Sequence, residues 1–147
     1  MPEKLKVLFV CMGNACRSQM AEGFARALRG DDLLPFSAGA APAGLDPRAV
    51  AVMAEAGVDI SGQRSKGVEA LPPTPFDLVV TLCGQARDVC PTIPGPARRL
   101  HAGFDDPPSL AARAATEEEA LGHYRRVRDA VREFVLGLPS GRKPAGG

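Results

Sequence analysis

Residues 6–18 read KVLFVCMGNACRS, and the way this stretch changes character partway through decides the fold. Leu5 to Val10 is a short apolar run with β-branched residues at Val7 and Val10. Such a run, without polar alternation, is the pattern of a strand buried on both faces. Beyond the loop over 11–18, apolar residues recur at Met20, Ala21, Phe24, Ala25 and Leu28, up to Gly30. That is the stripe of an amphipathic helix. A buried strand followed at once by a helix is half of a parallel βαβ unit.

The rest of the chain repeats the theme. Leu34 to Ala38 reads as a short strand leaving through Gly39. Asp46-Pro47 is a helix start, cap then first-turn proline, with Val50, Met53 and Ala54 expected to face inward until Gly57. Asp77 to Leu82 (DLVVTL) is a second buried strand, and Arg98 to Phe104 (RRLHAGF) a weaker one. From Thr116 a long helix, with EEE in its first turn and Arg132 in its last, is expected to bury Ala120, Tyr124, Val127, Val131 and Phe134. Strands alternating with helices predict an α/β fold: one domain over 1–138 with a parallel sheet, right-handed crossovers and helices on both faces. The tail over 139–147, with SGRKPAGG, reads as disordered.

Composition narrows the function. The 147 residues suit one ordinary domain. A net charge of +1 gives no general basic field for nucleic acid. Val7 to Val10 is too short for a signal-peptide core, and no stretch approaches the roughly 20 apolar residues of a membrane span. The expectation is a cytoplasmic protein whose thiols stay reduced, so its four cysteines are candidates for chemistry rather than staples.

In open parallel sheets ligands bind beyond the carboxyl ends of the strands, where strand order reverses. Cys11 and Cys83 each follow a strong strand, so if those strands are neighbours, roughly 4.8 Å apart, both sulfurs open onto one crevice. The spacing Cys11-x5-Arg17-Ser18 suits an oxyanion cradle formed by Cys11, Met12, Gly13, Asn14, Ala15, Cys16, Arg17 and Ser18. A short loop can aim several backbone N–H groups at one point, and the helix behind it adds its positive end. Gly13 is expected to supply unusual backbone angles, which Asn14 also tolerates. Arg17 offers a planar fork to two oxygens of a tetrahedral anion. The same field favours the thiolate of Cys11, the nucleophilic form, and Ser18 can donate to it. Cys16 reads as a small packing residue turned away from the anion.

Cys83 and Cys90 stand in TLCGQARDVCP. The gaps between successive cysteines are 4, 66 and 6 residues, unlike the C-x2-C or C-x4-C pairs of zinc ribbons and fingers. His101 and His123 are not spaced as ligands, so no metal is expected. A redox relay is the favoured reading, against a pair of plain buried cysteines. Were 83–90 helical throughout, seven steps of 1.5 Å would separate the two Cα atoms by ~10.5 Å, beyond the ~7 Å limit of a disulfide. The segment must therefore loop or unwind to close one, which Gly84 and Pro91 make easier. In FDDPP, Asp106 is the candidate general acid and Asp105 the alternate; a plain Asp-Pro turn is the competing reading.

VLFVCMGNACRSQMAEGFAR, FSAG, DLVVTLC…CP and GFDDP together resemble the thioredoxin-coupled arsenate reductases built on the low-molecular-weight tyrosine phosphatase fold. The resemblance runs from about Lys6 to Phe134. It implies a four-stranded parallel sheet, with Cys11, Cys83 and Cys90 as catalytic cysteines, Arg17 and Ser18 as anion ligands and Asp106 as general acid. The implied reaction is reduction of arsenate to arsenite. Disulfides pass from Cys11–Cys83 to Cys83–Cys90 and then to thioredoxin, without a cofactor. Phosphate and sulfate would compete for the cradle, and a weak phosphatase side activity would be in keeping with it. A monomer is expected, with no nucleic-acid or membrane partner. Some members hold a potassium ion through an Asn, a Glu, a Ser and an Asp. Asn14, Glu22 and Ser37 match the first three, but Lys66 stands at the fourth, so its ammonium is expected to replace the ion or at least close the site; a lysine that simply points to solvent is the competing reading. A tyrosine phosphatase and a non-enzymatic redox sensor are the competing readings.

Overall fold

A computed structural model describes residues 4–72, 75–83 (Cys83 by its backbone alone) and 97–138. Cys90 and the expected tail over 139–147 lie outside the described residues. The elements are β1 (Leu5–Cys11), α1 (Arg17–Arg29), β2 (Leu33–Gly39), α2 (Pro47–Glu55), β3 (Leu78–Cys83), β4 (Arg98–Phe104), α3 (Pro107–Ala111) and α4 (Glu117–Leu136), with a 3-10 turn at Val68–Ala70. The four strands form one parallel sheet in the order β2-β1-β3-β4. Strand order therefore reverses at β1, and β1 and β3 are neighbours, pairing Val10 with Thr81.

The run Val7 to Val10 is fully buried because the sheet is covered on both sides. On one face Val7, Phe9, Leu78, Val80 and Leu82 meet Met20 and Phe24 of α1, Val52 and Met53 of α2, and Val127, Val131 and Phe134 of α4. Each such side chain contributes about 1.5–3 kcal/mol by leaving water. On the other face Leu8, Val10, Ala38 and Val79 lie under Phe36, Phe76, Leu71 and Val68, the last from the 3-10 turn.

Local chemistry sets the helix ends. Asp46 caps α2, its Oδ1 accepting from the Arg48 N–H at 2.9 Å. The helix ends with Gly57 at φ +83°, Val58 N–H bonding to Met53 O and Gly57 N–H to Ala54 O, the Schellman arrangement. Its buried face is Ala49, Val52 and Met53. Ala54 is exposed and Val50 only half-buried, so the expected face is rotated by about one position. Leu28 of α1 is likewise exposed; in the last turn it is Arg29 that meets the end of α4, donating to Val135 O and Leu136 O at 3.1 Å. Arg132 falls just before the last turn of α4, which runs on to Leu136. The short α3 has no counterpart among the elements expected from the sequence.

Candidate active site

Cys11 is the last residue of β1 and Arg17 the first of α1, so the intervening loop lies at the strand-order reversal. Its carbonyls are held from outside. Met12 O accepts from Ala41 N–H (2.9 Å), Gly13 O from Ala43 N–H (2.9 Å) and Ser65 Oγ (3.0 Å), and Ala15 O from Asp46 N–H (3.0 Å). Asn14 O accepts from Gln19 Nε2 at 2.9 Å. In a planar trans peptide the N–H points opposite the C=O. Carbonyls tied outward therefore turn the following amides towards the hollow of the loop.

The left-handed residue in the loop is Asn14, at φ +47°, whereas Gly13 keeps a negative φ. The expectation for Gly13 is corrected on that point. What Gly13 supplies is room: a Cβ there would come within 3.3 Å of the Ala43 Cβ. Asn14 accepts its strained geometry because its side chain is fully used. Nδ2 donates to Ser18 Oγ (2.8 Å), and Oδ1 accepts from Lys66 N–H (2.8 Å) and Gln19 Nε2 (3.1 Å). Since Ser18 Oγ accepts from Asn14, its own proton is free for the Cys11 Sγ, 2.9 Å away.

The buried Arg17 guanidinium donates from Nη1 to Phe104 O (2.9 Å) and Leu82 O (3.3 Å), the carbonyls at the ends of β4 and β3. Its Nη2 lies 3.4 Å from Asp106 Oδ1. Cys83 begins one peptide beyond Leu82 and pairs in register with Phe104. Asp106 Oδ2 accepts from Ser109 Oγ at 2.6 Å, while Asp105 turns to Arg126 of α4 at 3.0 Å. A cavity of about 210 Å³ is lined by Cys11, Met12, Gly13, Ala15, Cys16, Arg17, Ala43, Asp106 and Pro108. Cys16 is buried within the main core as well. Burial, chiefly, and then nearby Asp46 push its thiol well above the usual cysteine range, so it stays protonated.

All seven rings of the chain are engaged elsewhere. Phe9, Phe24 and Tyr124 are buried, Phe104 packs edge-on against Phe134, and Phe36 against Phe76. His101 is exposed beside Thr81 Oγ1, and His123 neighbours Arg126. Among the described residues no three His, Cys, Asp or Glu side chains are grouped as metal ligands.

Behind the loop, buried Glu22 accepts from Ser37 Oγ and is paired with Arg26. Lys66 Nζ stands 3.7 Å from the Oε1 of Glu22 and donates to Arg64 O at 3.1 Å. Two side-chain cations already serve this carboxylate, so the donor set does not suit a further monovalent cation.

Several supporting residues carried little sequence signal. Gly39 is one: a Cβ there would lie 2.7 Å from both Asn14 N and Met12 O, so the loop's close approach requires glycine. Gln19, Ser65 and the Asp46–Tyr124 pair are others, since nothing in their local sequence marks a contact this distant.

A family model described as low molecular weight phosphotyrosine protein phosphatase matches residues 6–134. An arsenate reductase of Bacillus subtilis (strain 168) is 48% identical over 125 residues, covering 85% of this chain and 88% of that protein. A solved arsenate reductase in the phosphate binding state superposes with a TM-score of 0.71 at 34% identity, covering 91% of this chain and 95% of the other. A thioredoxin-dependent arsenate reductase of Corynebacterium glutamicum superposes at 0.60 with 25% identity, covering 95% of this chain and 64% of its own.

Proposed function

The chain belongs to the low molecular weight phosphotyrosine protein phosphatase family, and from that membership and the cavity around Cys11 we propose that it reduces arsenate to arsenite. The observation that carries the reading is the joint placing of Cys11, Arg17 and Asp106 around one small cavity with no ring at its mouth. Amides, the α1 N-terminus and the Arg17 fork hold a tetrahedral oxyanion, and phosphate competes because it has the same shape and charge. Selection for arsenate comes from redox chemistry, since arsenic(V) accepts two electrons from thiols.

In the proposed sequence the Cys11 thiolate attacks arsenic and an As–S bond forms. Asp106, in its acid form, gives its proton to the departing oxygen, which leaves as water. The Cys83 thiolate then attacks the Cys11 sulfur. An S–S bond forms, the As–S electron pair stays on arsenic, and arsenite departs two electrons richer. Cys90 attacks Cys83, freeing Cys11 and leaving a Cys83–Cys90 disulfide for an external dithiol such as thioredoxin to reduce. Residues 1–138 act as one domain, working as a monomer in a reducing compartment, the cytoplasm, where the thiols are available.

A tyrosine phosphatase is the competing reading. An aryl ester gains its hold by stacking its ring on aromatic side chains at the mouth. Here the apolar part of the cavity lining includes Met12, Ala43 and Pro108, with no aromatic side chain among the described lining residues. A sensor that uses only the Cys83/Cys90 pair has no use for a cradle. The test is arsenate-dependent NADPH oxidation with thioredoxin and thioredoxin reductase, run beside p-nitrophenyl phosphate hydrolysis. Arsenate-dependent turnover with weak ester hydrolysis is expected. Strong ester hydrolysis without arsenate turnover would make the chain a phosphatase, and inactivity in both assays would favour the sensor.

A further inference from the structure

The cradle is braced by a residue from another element, and that residue is itself clamped by the core. Residues 41–46 run along the outside of the loop, and their N–H groups at Ala41, Ala43 and Asp46 hold the carbonyls of Met12, Gly13 and Ala15. The first part of this strap is exposed, and a Cβ at Gly44, which has φ +89°, would meet nothing within 4 Å. Its end is held further, by side-chain contacts. Asp46 Oδ1 takes the Arg48 N–H at 2.9 Å, and Oδ2 takes the Tyr124 hydroxyl at 2.5 Å. Tyr124 is 1% exposed in the middle of α4.

With both carboxylate oxygens engaged, the Asp46 backbone has little freedom, and its N–H stays on Ala15 O. Ala15 C=O and Cys16 N–H belong to one planar peptide, so holding the first outward turns the second towards the cavity. We infer that Asp46 and Tyr124 are positioning residues for oxyanion binding: together they hold the Ala15–Cys16 peptide in the orientation the anion needs. Neither touches the anion. The inference rests on the reading of the cavity as a site for a tetrahedral oxyanion, and it deepens that reading by giving α4 a part in binding.

Such a brace serves ground state and transition state alike. Its loss should raise KM and leave kcat nearly alone. Tyr124→Phe keeps the ring and removes only the hydroxyl, while Asp46→Ala removes cap and clamp together. Asp46→Asn keeps an acceptor for the Arg48 N–H and offers its amide N–H to the phenol oxygen, so it preserves the geometry without the charge.

The experiment is calorimetric titration of the reduced full chain with inorganic phosphate, followed by arsenate kinetics, with thermal melting as the folding control. Tyr124→Phe and Asp46→Ala should weaken phosphate binding about three- to tenfold. The arsenate KM should rise by a similar factor with kcat within about twofold, and Asp46→Asn should stay within about twofold of wild type. If Asp46→Ala does not fold, the Tyr124→Phe titration decides alone. Unchanged phosphate binding in Tyr124→Phe overturns the inference, as does a loss in Asp46→Asn equal to that in Asp46→Ala, or a fall in kcat at constant KM. Because phosphate binding needs no arsenate chemistry, a wild type that binds phosphate but does not reduce arsenate removes the proposed reaction and leaves this inference standing. A wild type that binds no phosphate removes both.

Discussion

Cys11 and Cys16 share one loop, yet their surroundings give them different chemistry. The Cys11 sulfur sits beside the Ser18 hydroxyl at 2.9 Å and faces Arg17 across the cavity. Both are buried in the main core, but Cys16 has no such hydroxyl partner among the described residues, and burial and Asp46 keep its thiol protonated. A protonated, enclosed thiol is a poor nucleophile. Cys11→Ser should therefore abolish arsenate reduction, whereas Cys16→Ser should keep most of it; equal loss in both would make the loop a dithiol centre and sink the single-nucleophile scheme. The same scale governs Lys66. Its ammonium lies 3.7 Å from Glu22 Oε1, and Arg26 serves the same carboxylate. Exchanging sodium for potassium at equal ionic strength should leave activity and melting temperature nearly unchanged in the wild type. Lys66→Asp supplies an oxygen where the cation stood and should gain a potassium-specific rise in melting temperature. A clear potassium response in the wild type would show that the ammonium does not close the site.

Elements are stabilised by contacts of very different range, and that range decides how well each was legible. The start of α4 is local chemistry. Thr116 Oγ1 accepts from Glu119 N–H at 3.1 Å, and Glu119 Oε2 reaches back to Ala115 N–H at 2.8 Å, a reciprocal cap close in form to the capping box. Thr116→Ala should cost about 1 kcal/mol, a fall in melting temperature of roughly 2–4 °C for a domain of this size, with the arsenate KM unmoved. A KM shift would mean that the first turn of α4 communicates with the cradle. The buried face of α4 was likewise readable, since Ala120, Tyr124, Val127, Val131 and Phe134 repeat at helical spacing and all are buried. In α2 the same method went astray by about one position. Its nine residues are mostly alanine and valine, so the apolar pattern runs nearly all round and only packing against α4 picks the face. The cradle divides similarly. Its residue types and spacing were legible, but the left-handed residue proved to be Asn14, because the partners that hold it come from Gln19 and from Lys66, 52 residues on. Gly39 mattered for a contact with Asn14 and Met12 that only the pairing of β2 with β1 creates.

At the scale of the whole molecule, strand order turns separate stretches of chain into one site. Two short, mainly apolar runs were enough to mark β1 and β3 as interior strands, and the sheet order makes them neighbours with the reversal at β1. Arg17 then ties the cradle to carbonyls at the ends of β3 and β4, at Leu82 and Phe104. Cys11, the end of β3 before Cys83, and Asp106 thus converge from positions up to 95 residues apart in the sequence. In the proposed relay this convergence serves the first two sulfur steps, and Cys90 enters only in the third. Cys90→Ser should accordingly pass through the first two steps and halt. With excess arsenate, quenched samples should contain about one arsenite per enzyme, and mass spectrometry of tryptic peptides should find Cys11 bridged to Cys83. Adding thioredoxin and its reductase should not restore steady turnover, because the stalled disulfide lies at the buried end of β1, out of reach of a protein reductant. Sustained turnover of this variant would show that the first disulfide is reduced directly, and the three-cysteine relay would have to give way to a two-cysteine cycle.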